Sequence, residues 1–491
     1  MNHPTPTGVD RRSFVKTLST AGLALGAAPA LLAQAANPKR KRYAIVGLGS
    51  RYRMYHDAIE KTYAEHAELV GLCDKNPGRL ALAQKRSGEN GAPVPRGYVH
   101  TDFDKMVAET KPDVVIITTM DSTHDDYIVR AMELGCDTVT EKPMTTTAEK
   151  AQRILDARAR TGRQVRVLFN YRYSPPRTQV KDILMSGEIG EVRSVDFQWL
   201  LNTSHGADYF RRWHGEKKFS GGLMVHKATH HFDLVNWWLG AMPVSVTATG
   251  KREFYTPEMA KRFGLQSHHE RCHTCPEADK CGFFMNLAGN PSLKALYLDQ
   301  EHHDGYFRDR CVWHPRIDIE DTMNVIVGYD NNVTLNYSLN AFNAWEGYQI
   351  AFNGTLGRLE HRIVEQVYVN AGTNDASQGA IAERGVTTTV VPLRGAPKRL
   401  EAWSGTGSHG GGDKVMLDDM FLPQPPEDKY LRAADERAGA CSILIGAAAN
   451  ECFATGKPVD VTKLVKGLKR PDFSPMPSRT GPLPMPERRR T

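Results

Sequence analysis

The sequence predicts an α/β protein: an N-terminal doubly wound parallel sheet, then an α+β domain with a large, mainly antiparallel sheet. Three observations predict it. Apolar strand-like runs alternate with helical patterns from Tyr43 to Arg160. A glycine turn, Gly47-Leu48-Gly49, closes the first of those runs. Short segments of period-two alternation crowd residues 322–391. The 491 residues are 40% hydrophobic and 24% charged, a globular composition long enough for two or three packed domains.

Residues 1–35 read as an export signal. Arg11-Arg12 precede a soft apolar stretch from Leu18 to Ala33, and Ala33-Gln34-Ala35 offers a small-residue cleavage site. The paired arginines point to the twin-arginine (Tat) route, with the Tat translocase as a transient partner and the periplasm or the exterior as destination. The stretch is too short and too weakly apolar for a stable membrane span. The formal charge of +7 is mild, and no stripe of Lys and Arg suggests nucleic acid.

A dinucleotide-binding domain is expected over 36–165. Tyr43 to Val46 is a buried strand, Gly47 to Arg51 its turn, and a helix runs from Arg51 to about Tyr63. Glycines there let backbone approach a pyrophosphate, and the helix start supplies free N–H groups. The third position of the glycine fingerprint is Tyr52. A second strand ends in Asp74, whose carboxylate suits ribose hydroxyls and repels a 2′-phosphate. NAD is therefore favoured, with NADP kept open by Lys75 and Arg79 nearby. Asp113 to Thr119 is an unbroken apolar and β-branched run, as a strand buried on both faces requires. A helix from Thr123 to Leu134, a strand reaching Thr140 and a helix from Thr147 to Arg160 complete the alternation.

The second domain is expected over 166–470. Asn170-Tyr171-Arg172-Tyr173 ends a strand and opens it. Gly222 to Leu239 reads as one helix with His226, His230 and Asp233 on a single face. An insertion spans 251–319. It holds Cys272-x2-Cys275-x5-Cys281 and Cys311, with six histidines close by. A four-thiolate structural zinc site, two disulfides, an iron–sulfur cluster or free thiols all fit that spacing. Gly405 to Gly412, with His409, reads as a flexible loop that folds over the cleft, and a helix from Ala433 to Ala454 packs back on the first domain. A Pro-rich tail occupies 471–491.

Gly47-x-Gly49-x-Arg51, Asp121-x-x-His124, Glu141-Lys142-Pro143, and Gly221-Gly222 followed by His230-x-x-Asp233 together resemble the Gfo/Idh/MocA oxidoreductases. The resemblance implies a Rossmann domain carrying NAD, a second domain carrying substrate, and a homo-oligomer, dimer or tetramer. It implies that Lys142 reaches the nicotinamide and the reacting hydroxyl, and that His230 is catalytic. Candidate cofactor contacts are Gly47, Gly49, Ser50, Arg51, Asp74, Thr119, His124, Glu141, Lys142 and Pro143. Asn170, Tyr171, Arg172, Lys227 and Trp213 are substrate candidates.

Oxidising a secondary alcohol needs a hydride acceptor and a group that takes the hydroxyl proton; the cofactor supplies the first, and His or a desolvated Lys the second. Family members often carry Asp four residues before the histidine, where this chain has His226. An imidazole there can bind substrate, relay a proton or, with His230, hold a metal. The sequence therefore implies an NAD(P)-dependent oxidoreductase acting on a sugar, polyol or glycoside. The alternatives are a redox-neutral NAD-dependent glycosidase and a non-catalytic sugar-binding protein.

Overall fold

The computed structural model describes residues 40–366, 385–405 and 411–485. The export signal, the His409 loop and the final arginines lie outside the described residues.

The first sheet contains β1 (Lys41–Val46), β2 (Ala67–Asp74), β3 (Arg96–Val99), β4 (Val114–Ile117), β5 (Asp137–Glu141) and β6 (Val165–Leu168). Their spatial order is β6-β5-β4-β1-β2-β3, and every neighbour pair is parallel. β1 and β4 are buried along nearly their whole length, which is why they read as unbroken apolar runs. Residues 52–62 form an α-helix, Tyr52–Asp57, that widens into a π-helical segment, Ala58–Thr62. The reversal of strand order between β1 and β4 opens a crevice at the carboxyl ends of the strands, where such sheets bind ligands.

The second sheet holds β7 (Val192–Asn202), β8 (Pro243–Lys251), β9 (Thr322–Tyr329), β10 (Thr334–Asn343), β11 (Glu346–Gly354), β12 (Gly357–Gln366), β13 (Val386–Pro392) and β14 (Lys398–Leu400). All its pairs are antiparallel except β7 with β10. Two short strands complete the pair of sheets. β15 (Ala434–Asp435) adds antiparallel to β6, and β16 (Val459–Asp460) to β8. One face of the large sheet covers helices and buries Trp199, Phe197 and Tyr348. Its other face is an open groove of about 820 Å³ lined by Gln198, Asn324, Gln349 and Arg362, with Ile326 exposed.

The helix Glu436–Thr455 ties the halves together, packing on β6 and the helix Ala148–Thr161 on one side and on β8 on the other. It is long and apolar enough to cross a membrane, but most of it is buried inside the protein. Its small residues permit close contact: a Cβ at Gly446 would lie 2.4 Å from the Met224 carbonyl oxygen. That contact fixes the short helix Leu223–His226 against the core. The tail from Pro471 runs without regular structure along the second domain. Met476 meets Lys181, and Arg479 donates to the Val192 carbonyl at 3.0 Å.

Candidate active site

The crevice begins at the glycine turn. Gly47 has φ of 88°, and a Cβ there would sit 2.7 Å from the backbone of Thr118 and Thr119, so the turn can pass the end of β4 only without a side chain. A Cβ at Gly49 would meet only the Tyr297 hydroxyl, at 3.6 Å. The bare backbone face at Gly49 is the kind of cradle a pyrophosphate fills, and the acidic end of β2 beside it suits a ribose. The residues present therefore fit a dinucleotide.

Several of the expected cofactor contacts also position the turn. Asp74 accepts the Leu48 N–H at 2.5 Å and the Asn76 N–H at 2.6 Å, so its carboxylate holds the glycine turn in place. Arg51 and Tyr55 both bond the Glu141 carboxylate, which ties the helix after the turn to the end of β5. His124 is buried and spans the Pro143 carbonyl at 2.8 Å and the Thr119 carbonyl at 3.2 Å. These contacts set the backbone of Glu141-Lys142-Pro143 and aim the Lys142 side chain.

Lys142 is half-buried and donates to the His226 carbonyl at 2.9 Å; its ammonium lies 3.5 Å from His226 Nε2. On the far side of that ring, Nδ1 meets Asp121 Oδ2 at 2.5 Å. Burial, then the charges of Lys142 and a neighbouring His214, hold the His226 imidazolium well below its usual range. A neutral ring donates Nδ1–H to Asp121 and turns its Nε2 lone pair toward Lys142. Burial raises the Asp121 carboxyl, with Lys142 and Arg212 opposing. Burial also lowers the Lys142 ammonium to about 8, and Lys227 adds to the effect while Asp121 resists it. A lysine so tuned exchanges a proton near neutral pH.

The expected single helix over Gly222–Leu239 is broken. Leu223–His226 and Thr229–Leu239 are separate, because Lys227 and Ala228 turn the chain between them. His226 therefore faces Lys142, while the His230 ring lies parallel to Tyr171 at 4.2 Å. Tyr171 continues the stack to Trp199, and its hydroxyl receives a hydrogen bond from Lys227 at 3.3 Å. Arg172 is not available to substrate. It is buried and makes a two-pronged pair with Asp233, at 2.7 and 2.6 Å. Asn170 donates to Asp413 at 2.7 Å. Trp213 is half-buried, stacks on His214 at 3.6 Å, and stands edge-on to His226 at 5.8 Å.

Residues 41–169 match the family model described as "Oxidoreductase family, NAD-binding Rossmann fold", and residues 181–461 the one described as "Oxidoreductase family, C-terminal alpha/beta domain". The chain belongs to the Gfo/Idh/MocA oxidoreductase family. It is 37% identical over 432 residues to the putative oxidoreductase YteT of Bacillus subtilis, covering 86% of this chain and 98% of that protein. It is 30% identical over 208 residues to inositol 2-dehydrogenase of Rhizobium meliloti, 42% of this chain and 58% of that one. The fold is also similar to that of the WlbA dehydrogenase of Bordetella pertussis, solved with NADH and UDP-GlcNAcA. There the TM-score is 0.56 and the identity 18%, over 86% of this chain and 99% of the other.

Two features of this family member depart from expectation. The four clustered cysteines line one small cavity with Arg211, Phe283 and Trp313, but among the described residues no set of His, Cys, Asp or Glu is placed to hold a metal. Neither do they pair: all eight cysteines are free thiols. Burial pushes the Cys275 and Cys311 thiols up, and Arg211 donates to Cys272 Sγ at 3.3 Å. His214, Tyr209 and Tyr297 entered the site unannounced. The run Arg211-Arg212-Trp213-His214 was a local signal for the first. Tyr297 had none, since its partner Ser50 is 247 residues away.

Proposed function

We propose that the protein is a dehydrogenase that removes hydride from a secondary hydroxyl of a sugar or polyol and delivers it to NAD. The observation that carries this reading is the Lys142 ammonium within 3.5 Å of a carboxylate-anchored imidazole, at the carboxyl end of a strand in an NAD-binding domain. The similarity to inositol 2-dehydrogenase supports a polyhydroxylated substrate. When bound, the nicotinamide supplies the hydride acceptor.

This chain's residues do the rest. Gly47 and Gly49 give backbone access to the dinucleotide, and Glu141 and His124 hold the turn that aims Lys142. The neutral Lys142 amine takes the hydroxyl proton, and His226, held neutral and anchored through Nδ1 by Asp121, positions that amine. Trp213 and Tyr209 stand edge-on to His226, at 5.8 and 5.4 Å, and set the apolar side of its ring. His230, stacked on Tyr171, completes the substrate side.

Export through Tat to the periplasm, and assembly as a dimer or tetramer through the open sheet face, belong to the same reading. Fractionation and light scattering check them. The chemistry is tested by offering NAD-loaded protein a panel of free sugars, polyols and glycosides. Build-up of reduced-nicotinamide absorbance with a free sugar or polyol is expected. Aglycone release without that build-up would replace it with the redox-neutral glycosidase; inertness toward the whole panel would remove it.

A further inference from the structure

Between β8 and β9 the chain leaves the second domain and returns to it, and part of that excursion lands on the first domain. Tyr297 places its hydroxyl 3.0 Å from the Ser50 N–H and 2.8 Å from Ser50 Oγ, at the open side of Gly49. The Gln300 carbonyl accepts from Asn76 Nδ2 at 2.8 Å. The Gln300 side chain packs so closely on Gly78 that a Cβ there would come within 1.8 Å of it. Asp304 bonds Arg79, which also reaches Asp74 at 3.3 Å, and Ser292 accepts from Arg53 at 2.6 Å. Every first-domain partner belongs to the glycine turn, the helix behind it, or the end of β2 and the start of the next helix. These elements border the pyrophosphate and adenosine ribose of a bound dinucleotide.

The segment is braced from behind. Arg271 grips Glu301 with two hydrogen bonds, at 2.8 and 2.9 Å, and pairs with Asp309 at 2.8 Å. Arg308, over the Tyr297 ring, pairs with Asp208 at 2.6 Å. Tyr297 and Asp304 are themselves buried, so the contact is an internal interface and not a surface brush.

We propose that residues 291–308 form a built-in cover over the adenosine half of the cofactor groove, so that NAD stays with the protein through successive turnovers. The inference rests on the dehydrogenase reading for the identity of the ligand. Leaving the groove requires the cover to lift, with loss of the Tyr297, Gln300, Asp304 and Ser292 contacts together. Arg79 bridges Asp74 and Asp304, so the cover is tied to the acidic end of β2 as well as to the glycine turn. A cofactor so held is restored in place. The hydride and proton lost by one alcohol pass to a second compound bearing a carbonyl, which becomes an alcohol.

The test is isotope exchange in the holoprotein. Protein carrying unlabelled NAD is mixed with excess deuterated NAD, and replacement is followed by native mass spectrometry. The double variant Tyr297→Phe with Asp304→Asn is expected to exchange faster than the parent by about tenfold or more, two hydrogen bonds each being worth roughly fivefold. Equal or slower exchange in a folded variant overturns the cover. Hydrogen–deuterium exchange of the unaltered protein decides the matter independently of that variant. Protection over 291–308 should deepen when NAD binds; no change there also overturns it. A parent protein that holds NAD while the variant behaves identically removes only the cover. A parent that takes up no NAD at all removes the dehydrogenase reading and the cover with it.

Discussion

The guanidinium of Arg172 and the ammonium of Lys142 meet two consecutive helices, Thr229–Leu239 and Leu223–His226, yet they are neutralised differently. Arg172 is matched by the whole Asp233 carboxylate in two short hydrogen bonds, deep in the second domain. Nearby Arg177 is fully buried against Glu365 at 2.8 Å. Lys142 has a carbonyl oxygen, a neutral imidazole, and a carboxylate that bonds the imidazole and not the amine. The first arrangement sets each buried charge against an opposite one and fixes how the chain enters the second domain. The second leaves a proton without a firm owner, which is what acid–base chemistry needs. Burial is common to both; the completeness of pairing separates structure from catalysis.

The comparison breaks most sharply at Lys142. Lys142→Ala should lower the rate of hydride transfer by about a thousandfold or more, the contribution of a positioned proton acceptor. The thermal midpoint should hardly move, since no full ion pair is lost. A large fall in stability with residual turnover near that of the parent would place Lys142 with Arg172 as a structural group. Arg172→Met should do the reverse. Leaving Asp233 buried and unpaired costs about 3–5 kcal/mol of stability, read from denaturant midpoints. Replacing both partners by apolar residues, Arg172→Met with Asp233→Leu, should recover much of that loss. Failure of the double variant to recover would mean that the pair specifies the fold and is more than a compensated charge.

Asp121 lies between these cases, because its carboxylate bonds the imidazole that serves the lysine. Asp121→Asn is expected to reduce turnover by about ten- to a hundredfold, as loss of a group that orients a histidine does. Substrate KM should stay close to the parent value. A change confined to KM would instead put Asp121 in contact with substrate.

How much of this was legible depended on the reach of each interaction. β1 and β4 announced themselves because strands buried on both faces are apolar along their buried length, whereas β5, with Val139 its one apolar residue, was placed by the strand–helix alternation around it. β3 did not, since only Tyr98 of its four residues is buried and no pattern survives at a sheet edge. The glycine turn and Lys142 were readable from local motifs. The break at Lys227-Ala228 was not, because His226-Lys227 has ordinary helical character and only tertiary contacts with Lys142 and Asp121 turn it. Arg172 looked like a substrate ligand until Asp233, sixty-one residues on, was seen to claim it. The cysteine spacing left metal, disulfides and a cluster open on local grounds, and the same segment's contact with the first domain had no local trace.

The finest contrast between the two clusters is in how they titrate. Arg172 is locked in its two-pronged pair with Asp233, whereas burial brings the Lys142 ammonium down to about 8. The free amine is the form that accepts the hydroxyl proton, so kcat/KM for oxidation should climb with pH and level off above about 8. Below that point it should fall about tenfold per unit. The sign of the neighbours' influence then gives an internal check. Lys227 disfavours the ammonium, so Lys227→Gln should move the midpoint upward; Asp121 favours it, so Asp121→Asn should move the midpoint downward. Shifts of a fraction of a unit in opposite directions are resolvable by pH–rate profiles of the two variants. Shifts in the same direction, or none, would show that the titrating group is not Lys142, and the unpaired amine would lose its claim to the chemistry.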